Sequence, residues 1–201
     1  MRMFQEPRRV SELSVLPCIR EGLVSGAVQI LHLPPARFLA TLERGDMIWL
    51  REGYSVEGPR PSAPDWLDVA YLDGSRRRVR WPRALAAPTA GYHSHASMPM
   101  HLSRITLVVL AAQRMRLQQV TEEDASLSGV ALAGPDGFRH LAALGDQAWP
   151  SAREAYSVLW ELMWGFHQGW EANPEVVELR VTTVARCICD LVPGLGHGGV
   201  R

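Results

Sequence analysis

An arginine and a glutamate stand side by side at the end of a predicted strand, where both charges could face a ligand. Met47 to Leu50 is apolar and strand-like, and Arg51-Glu52 follows it directly. A planar guanidinium and a carboxylate together can hydrogen-bond a base or a sugar. The pair is therefore a predicted ligand site, and a structural ion pair at the sheet rim is the alternative. Trp49 and Tyr54 are either base-stacking residues or core residues.

The densest positive charge lies in a short segment around one tryptophan. Five arginines surround Trp81, namely Arg76, Arg77, Arg78, Arg80 and Arg83. Guanidinium groups contact phosphates, and an aromatic ring can stack on an unpaired base. The segment predicts a nucleic-acid-binding patch, and the alternative is a solvated charged hairpin.

Three histidines, His93, His95 and His101, are close together in the sequence. Imidazole is a common metal ligand, but no Asp, Glu or Cys accompanies these residues before Arg104. Loop histidines beside a pocket fit the pattern better than metal ligands do. We therefore expect neither a metal nor a cofactor.

The cysteines and the basic residues limit the available chemistry. The chain contains three cysteines, Cys18, Cys187 and Cys189, and their spacing is not that of a zinc finger, so reduced thiols are expected.

All 21 basic residues are arginine, and the chain contains no lysine. A lysine Schiff base, a Walker lysine and a lysine general base are therefore excluded.

Composition favours a single domain spanning residues 1–201. Apolar residues make up 47% and the formal net charge is zero, which argues against disorder and against a globally basic nucleic-acid binder. The longest apolar run, Ile105 to Ala112, is far shorter than the roughly 20 residues of a membrane span. Met1 to Arg20 lacks a signal-peptide core, so we expect a cytoplasmic protein without a membrane partner. No feature indicates an oligomeric state.

Strand patterns dominate the first half of the chain, and longer elements follow in the second half. The first half predicts a short helix interrupted by Pro17, two strands and a hairpin across Asp73-Gly74. These elements are Ser11–Gly22, Ala27–Leu33, Met47–Arg51 and Val69–Arg80. The second half predicts a long strand, a capped helix start at Thr121-x-x-Asp124, a helix and a closing strand. These elements are Ile105–Val120, Thr121–Leu127, Ser151–Phe166 and Val176–Val184.

The order of these elements does not alternate regularly between strand and helix, which argues against a doubly wound sheet. It predicts an α+β fold in which a small barrel has helices on its flank. The core is expected at about residues 13–184, and residues 185–201, rich in glycine, are expected to form a C-terminal tail.

Two segments resemble the ASCH domain family, and they occur in the order found in its phage and prophage members. Gly45–Glu52 is similar to that family's Gly-Asp-x-Leu-Trp-Val-Arg-Glu, and Ser97–Leu107 contains its Met-Pro turn followed by Ser-Arg-Ile-Thr-Leu. The acidic helix start Glu122–Ala125 and the turn Trp170–Pro174 also match. The resemblance covers roughly Leu13 to Val184. It implies the PUA-like fold, a compact mixed β-barrel with helices packed around its open side.

The resemblance also places the family's reactive lysine in a segment that is apolar in this chain. Glu21-Gly22 matches the family, but Val24 stands at the lysine position and Gln29 at an arginine position, whereas Ser25 keeps a hydroxyl near the family's threonine. In hydrolases of this family the lysine serves the nucleophile or binds phosphate. Valine can neither accept a proton nor stabilise an oxyanion. The comparison therefore weighs against inherited catalysis.

The functional prediction is binding of RNA or of a nucleotide-like ligand at the barrel mouth. The expected lining residues are Ser25, Arg51, Glu52, Tyr54 and Arg104, where Arg104 either faces the pocket or braces Glu52. One alternative is a hydrolase that uses Glu52 with Ser25, acting on an N4-acetylcytidine-type modified nucleoside or on RNA. The other is a protein-interaction or regulatory module of phage origin.

Overall fold

The computed structural model describes residues 10–35, 39–57, 65–135, 137–140, 147–192 and 195. This part of the chain is mixed α+β, as predicted, and contains more strands than helices. The strands are β1 (Val10–Ser14), β2 (Ile30–Leu33), β3 (Met47–Arg51), β4 (Tyr54–Val56), β5 (Trp66–Tyr71), β6 (Arg76–Arg80), β7 (Gly91–His93), β8 (Thr106–Arg116), β9 (Val130–Leu132), β10 (Phe138–His140) and β11 (Glu175–Val184). The helices are α1 (Pro17–Ser25), α2 (Glu122–Ser126), α3 (Ala152–Gln168) and α4 (Ile188–Leu191).

The chain divides into two compact units. The first unit contains the described residues within Met1–Val15, Met47–Leu107 and Val184–Arg201. The second contains those within Leu16–Asp46 and Val108–Thr183. Strand β8 therefore begins in the first unit and continues in the second.

The first unit contains a parallel strand pair and an antiparallel sheet. Strand β1 runs parallel to β3, with Val10 opposite Met47 and Ser14 opposite Arg51. The antiparallel sheet has the order β6-β5-β4-β7. Strands β5 and β6 form the predicted hairpin, whose turn contains Gly74 with a φ of 81° and is closed by Tyr71 N–H donating to the Ser75 carbonyl at 2.9 Å. A positive φ explains the glycine at this turn position.

The second unit places β11 between β8 and β2, and packs helices against its own strands. Strand β2 is antiparallel to β11, with His32 directly opposite Glu178. Helix α3 begins at the cap Ser151, whose hydroxyl accepts the Glu154 N–H at 3.1 Å. This helix buries Tyr156, Leu159 and Trp160, as its predicted apolar face requires.

The strands of the described residues form open sheets and short hairpins, and no closed barrel is detected among them. The α+β part of the fold prediction is confirmed. The PUA-like barrel stays a prediction.

The predicted helix over Ser11–Gly22 is wrong in its first half, where the chain forms β1 instead. The helix that follows, α1, begins at Pro17. A proline at the first helical position is favourable, because its missing N–H would have had no acceptor within the helix and its φ suits helical geometry. Pro17 therefore starts the helix rather than interrupting it.

Part of the segment expected to be a tail is ordered. Residues Ile188–Leu191 form α4, and both Cys187 and Ile188 are buried. The remainder of the predicted tail, residues 193–194 and 196–201, lies outside the described residues.

The capped helix start predicted at Thr121 is confirmed. The Thr121 hydroxyl accepts the Asp124 N–H at 3.1 Å and donates to the Asp124 carboxylate at 2.6 Å, and α2 follows. Across the described ranges, none of the helices has the length and apolar character needed to cross a membrane.

Thr121→Ala is expected to lower the free energy of unfolding by about 1 kcal/mol, because it removes the acceptor for a helix-terminal N–H. Urea unfolding followed by circular dichroism measures this loss. Thr121→Ser keeps the hydroxyl and should stay within about 0.5 kcal/mol of the parent protein. An equal loss in both variants would show that the hydroxyl is not the source of the stabilisation.

Candidate functional site

A buried ion pair joins two of the predicted ligand-binding residues in the first unit. Glu52 directly follows β3, and Arg104 lies two residues before β8. Arg104 donates from Nε to Glu52 Oε1 and from Nη2 to Glu52 Oε2, both at 2.7 Å. The Glu52 side chain is 5% exposed and that of Arg104 is 15% exposed. This is the bidentate geometry of a strong guanidinium–carboxylate pair, so Arg104 braces Glu52.

The turn between β5 and β6 adds two further partners to this pair. Arg104 Nη2 donates to Asp73 Oδ2 at 2.7 Å, and Nη1 donates to the Ser75 hydroxyl. The guanidinium carbon lies 4.2 Å from the centre of the Tyr71 ring, a favourable cation–π distance. We call Glu52, Asp73, Ser75 and Arg104 the Arg104 cluster.

Electrostatics in the Arg104 cluster favour the charged forms of Asp73 and Arg104. Burial opposes ionisation of Asp73, but the hydrogen bonds from Arg104 and Ser75 outweigh it and hold the Asp73 pKa well below its ordinary value. Burial likewise opposes the charge on Arg104, but its hydrogen bonds to Glu52 and Asp73 outweigh burial and raise the Arg104 pKa above its ordinary value. Burial raises the pKa of Tyr71 to about 12, so its neutral hydroxyl donates to the Leu102 carbonyl at 2.6 Å.

This arrangement limits what Glu52 can do chemically. Both of its carboxylate oxygens accept hydrogen bonds from Arg104. To accept a proton from a substrate, Glu52 would have to give up part of the bidentate pair. The geometry therefore suits charge recognition better than general base catalysis.

Two exposed apolar side chains lie close to Gly53, the residue that follows Glu52, and sequence reasoning missed both. Tyr92 on β7 is 64% exposed and Leu72 in the hairpin turn is 59% exposed. Both pack over Gly53, where an added Cβ would lie 2.9 Å from the Tyr92 hydroxyl oxygen and 3.0 Å from Leu72 Cδ1. The absence of a side chain at Gly53 thus brings an aromatic ring close to the residue that follows Glu52.

Arg51 is not part of this cluster, although it precedes Glu52 in sequence. Its guanidinium donates to Glu12 Oε1 at 2.7 Å and to the Ala96 carbonyl at 2.6 Å. Consecutive side chains along an extended chain point to opposite faces, which explains why the two neighbours have different partners. The structure therefore separates the predicted Arg51–Glu52 pair into two interactions.

The other predicted ligand-binding residues have local or core roles. Tyr54 is 1% exposed, stacks on His93 with ring centres 4.9 Å apart and donates to the Ser97 carbonyl at 3.4 Å. Trp49 is also buried, so the core interpretation of both aromatic residues is confirmed. Ser25 belongs to the second unit, at the end of α1, and its hydroxyl donates to the Gly22 carbonyl at 3.1 Å.

No family model, curated protein or solved structure matches this chain.

The arginine-rich hairpin forms a second polar surface in the first unit. Arg76, Arg78 and Arg80 alternate along the edge strand β6 and are exposed. Arg76 pairs with Glu57 at 2.8 Å, Arg78 with Asp68 at 2.8 Å and Arg83 with Asp65 at 2.6 Å. We call this the arginine surface, comprising Arg76, Arg77, Arg78, Arg80 and Arg83. Arg77 instead donates from Nη1 to the Ser103 carbonyl at 3.3 Å. Among the described residues, three carboxylates thus pair with three of these five arginines, which leaves an excess of positive charge.

A depression of about 200 Å³ lies on this surface. Its lining residues come from β5, β6 and the end of β4, and are Glu57, Asp68, Val69, Arg76, Arg77 and Arg78. Trp81, predicted as a stacking residue, is instead buried, and its indole N–H donates to the Leu85 carbonyl at 3.0 Å. The stacking role assigned to Trp81 is therefore wrong, because the ring is used in the core.

The three clustered histidines have different surroundings. His93 stacks on Tyr54 and its Nε2 lies 2.8 Å from the Thr89 carbonyl, whereas His101 packs edge-on against Trp81 at 5.8 Å. His95 is exposed. Within the part of the chain that the structure describes, no group of three or more His, Cys, Asp or Glu side chains is arranged to hold a metal ion.

Sequence reasoning also missed a buried hydrogen-bonded chain in the second unit. His32 lies 3.0 Å from the Tyr156 hydroxyl through Nδ1 and 3.3 Å from Glu178 Oε2 through Nε2. Glu178 Oε1 accepts from Gln113 at 3.0 Å and from Arg180 at 3.1 Å. The hydrogen bond from His32 lowers the Glu178 pKa, and burial raises the Tyr156 pKa. The available sequence signals were His32, the one polar residue of β2, and Glu178, which lies between the apolar Val177 and Leu179 in β11.

Proposed function

We propose that the chain is an ASCH-like module of the phage or prophage type, with a PUA-like fold, that binds RNA or a nucleotide-like ligand through its first unit. The arginine surface carries this proposal, because it combines exposed guanidinium groups with a depression, on a protein whose formal net charge is zero. The absence of lysine weighs against the hydrolytic chemistry of the resembling family.

The ion pairs on the arginine surface do not prevent phosphate binding. The side chains of Arg76 and Arg83 are 72% and 83% exposed, and exposed ion pairs contribute only about 0–1 kcal/mol each. A phosphate can replace a carboxylate at little cost and is held by bidentate guanidinium contacts. Counterion release from the nucleic acid then favours the complex.

The Arg104 cluster supplies polar groups close to an aromatic ring. Asp73 is one-third exposed and can accept hydrogen bonds from a base or a sugar. The exposed Tyr92 ring, packed over Gly53, offers a surface on which a base can stack. Asp73 and Ser75 of this cluster lie in the hairpin turn that leads directly into Arg76, so phosphate and base contacts would come from adjacent residues.

Salt titration of RNA binding tests this proposal. For single-stranded RNA, the logarithm of the association constant should fall with the logarithm of salt concentration, with a slope of about −0.7 per phosphate contact. The triple variant Arg76→Gln, Arg78→Gln, Arg80→Gln should bind at least about tenfold more weakly at low salt, with a slope shallower by about 2. Fluorescence anisotropy with a labelled oligonucleotide measures both.

Arg114→Gln is the matched control, because Arg114 is an exposed arginine of the second unit that pairs with Glu175 at 2.7 Å. It should bind like the parent protein. Loss of binding in Arg114→Gln equal to that in the triple variant, or no binding by the parent at low salt, would reject the arginine surface as the site. Tyr92→Ala should weaken binding by roughly tenfold without changing the slope. An unchanged affinity in Tyr92→Ala would reject the proposed stacking contact, but it would not reject the proposed phosphate contacts.

A further inference from the structure

Two cysteines lie one residue apart in the first unit, at a spacing that permits a disulfide. Cys187 immediately precedes α4, and Cys189 lies in its first turn. Ile188 between them begins the helix, and helical geometry sets the Cα–Cα distance across one residue at about 5.4 Å. Disulfides usually span Cα–Cα distances of about 4.4–6.8 Å. The Cα–Cα separation of the two cysteines thus falls within the range that a disulfide spans.

The two thiols are free and interact with each other. Cys187 is buried, whereas Cys189 is partly exposed to solvent. The hydrogen bond from Cys189 lowers the pKa of Cys187, and the buried Ser103 hydroxyl acts in the same direction. The Cys189 pKa is raised, because its proton is held by the neighbouring sulfur. Cys187 therefore loses its proton more readily than Cys189 does, and disulfide formation proceeds through attack by the deprotonated sulfur.

The Cys187 sulfur also contacts the segment that leads to Arg104. Cys187 donates to the Met100 carbonyl at 3.5 Å, and its sulfur lies 3.7 Å from the His101 carbonyl oxygen. Met100–Leu102 forms a 3-10 turn that directly precedes Ser103 and Arg104. The position of this turn therefore depends in part on a thiol proton.

We propose that Cys187 and Cys189 form a reversible redox site that peroxide converts to a disulfide, and that oxidation loosens the Met100–Leu102 turn. Cys187 first gives up its proton to solvent, and the thiolate attacks one peroxide oxygen. The O–O bond breaks, the leaving hydroxide takes up a proton from solvent and becomes water, and Cys187 becomes a sulfenic acid. The Cys189 thiol then attacks this sulfur, the S–S bond forms, the S–O bond breaks and the oxygen leaves as water. Two thiols and one hydrogen peroxide thus give one disulfide and two waters.

Oxidation changes the contacts of the turn because a disulfide has no S–H group. The Met100 carbonyl would lose the thiol donor while keeping the N–H of Ser103, which donates to it at 3.0 Å. A disulfide across one residue closes a small ring, and strained disulfides are reduced readily. This chemistry does not depend on RNA binding.

Intact-mass spectrometry of the Cys18→Ser protein tests the proposal, since this background contains only the two cysteines in question. Hydrogen peroxide should lower the mass by about 2 Da and abolish alkylation by N-ethylmaleimide, and dithiothreitol should reverse both changes. The Cys18→Ser, Cys189→Ser variant should instead gain about 16 or 32 Da, because its sulfenic acid has no resolving thiol. A disulfide-linked dimer, or a gain of oxygen without the loss of 2 Da in the Cys18→Ser protein, would overturn the proposed disulfide.

Amide hydrogen exchange of the same Cys18→Ser protein tests the effect on the turn. Exchange at Leu102 and Ser103, whose N–H groups close the turn, should be about fivefold faster after oxidation, the factor expected for one lost hydrogen bond. Exchange within α3 should not change and serves as an internal control. Formation of the disulfide with unchanged exchange at residues 102 and 103 would overturn the coupling.

Discussion

Arg104→Met is expected to lower the free energy of unfolding by roughly 3–5 kcal/mol, the cost of removing one partner from a buried ion pair. Methionine fills much of the same volume but cannot donate a hydrogen bond. Glu52 would lose its cationic partner in a nearly solvent-free position, and Asp73 and Ser75 would lose the guanidinium that orders the hairpin turn. Urea unfolding at pH 7 measures the loss.

Two further variants show whether the loss comes from unpaired charge. Arg80→Met removes an exposed arginine of the same unit and should change stability by no more than about 0.5 kcal/mol. The double variant Glu52→Gln, Arg104→Met carries no buried glutamate charge and should be more stable than Arg104→Met alone. If the double variant is instead less stable than Arg104→Met, the uncompensated charge on Glu52 is not the source of the loss.

The features that could be predicted from the sequence are those decided by residues close together in the chain. Thr121 and Asp124 are three residues apart, and their capping interaction is set by local backbone geometry. The Asp73-Gly74 turn is likewise local, because only glycine adopts its positive φ easily. The helix predicted from Ser11 is wrong in its first half, because the chain pairs with β3 there and forms a strand. Pairing between distant segments overrides a weak local preference for helix.

The candidate site was only partly predictable, because it is assembled from three separate segments. Glu52 and Arg104 are 52 residues apart, and bracing of Glu52 was one of the two roles predicted for Arg104. Nothing in the sequence indicated that Asp73 and Ser75 would join them, since that depends on where the β5–β6 hairpin packs. Tyr92 was missed for the same reason. Trp81 was misassigned because arginine neighbours suggested an exposed ring, whereas burial of a large apolar side chain was decisive.

The buried chain of the second unit leads to the other large expected effect. Glu178→Leu should lower the free energy of unfolding at pH 7 by roughly 3–5 kcal/mol, because Gln113, Arg180 and His32 would lose a shared, nearly inaccessible acceptor. Glu175→Leu, three residues earlier on the same strand, removes an exposed carboxylate and should cost no more than about 1 kcal/mol. Similar losses in both variants would show that burial of the Glu178 charge does not matter.

The pH dependence of this loss identifies its cause. The hydrogen bond from His32 lowers the Glu178 pKa in the folded protein below the ordinary value of 4.5. A carboxylate with a lowered pKa stabilises the folded state above that ordinary value, and the stabilisation is lost as the pH falls through the folded-state pKa. The difference in stability between the parent protein and Glu178→Leu should therefore be constant at neutral pH and narrow below pH 4.5. A difference that stays constant down to pH 3 would assign the loss to the volume and shape of the side chain, because only the ionised carboxylate disappears on acidification.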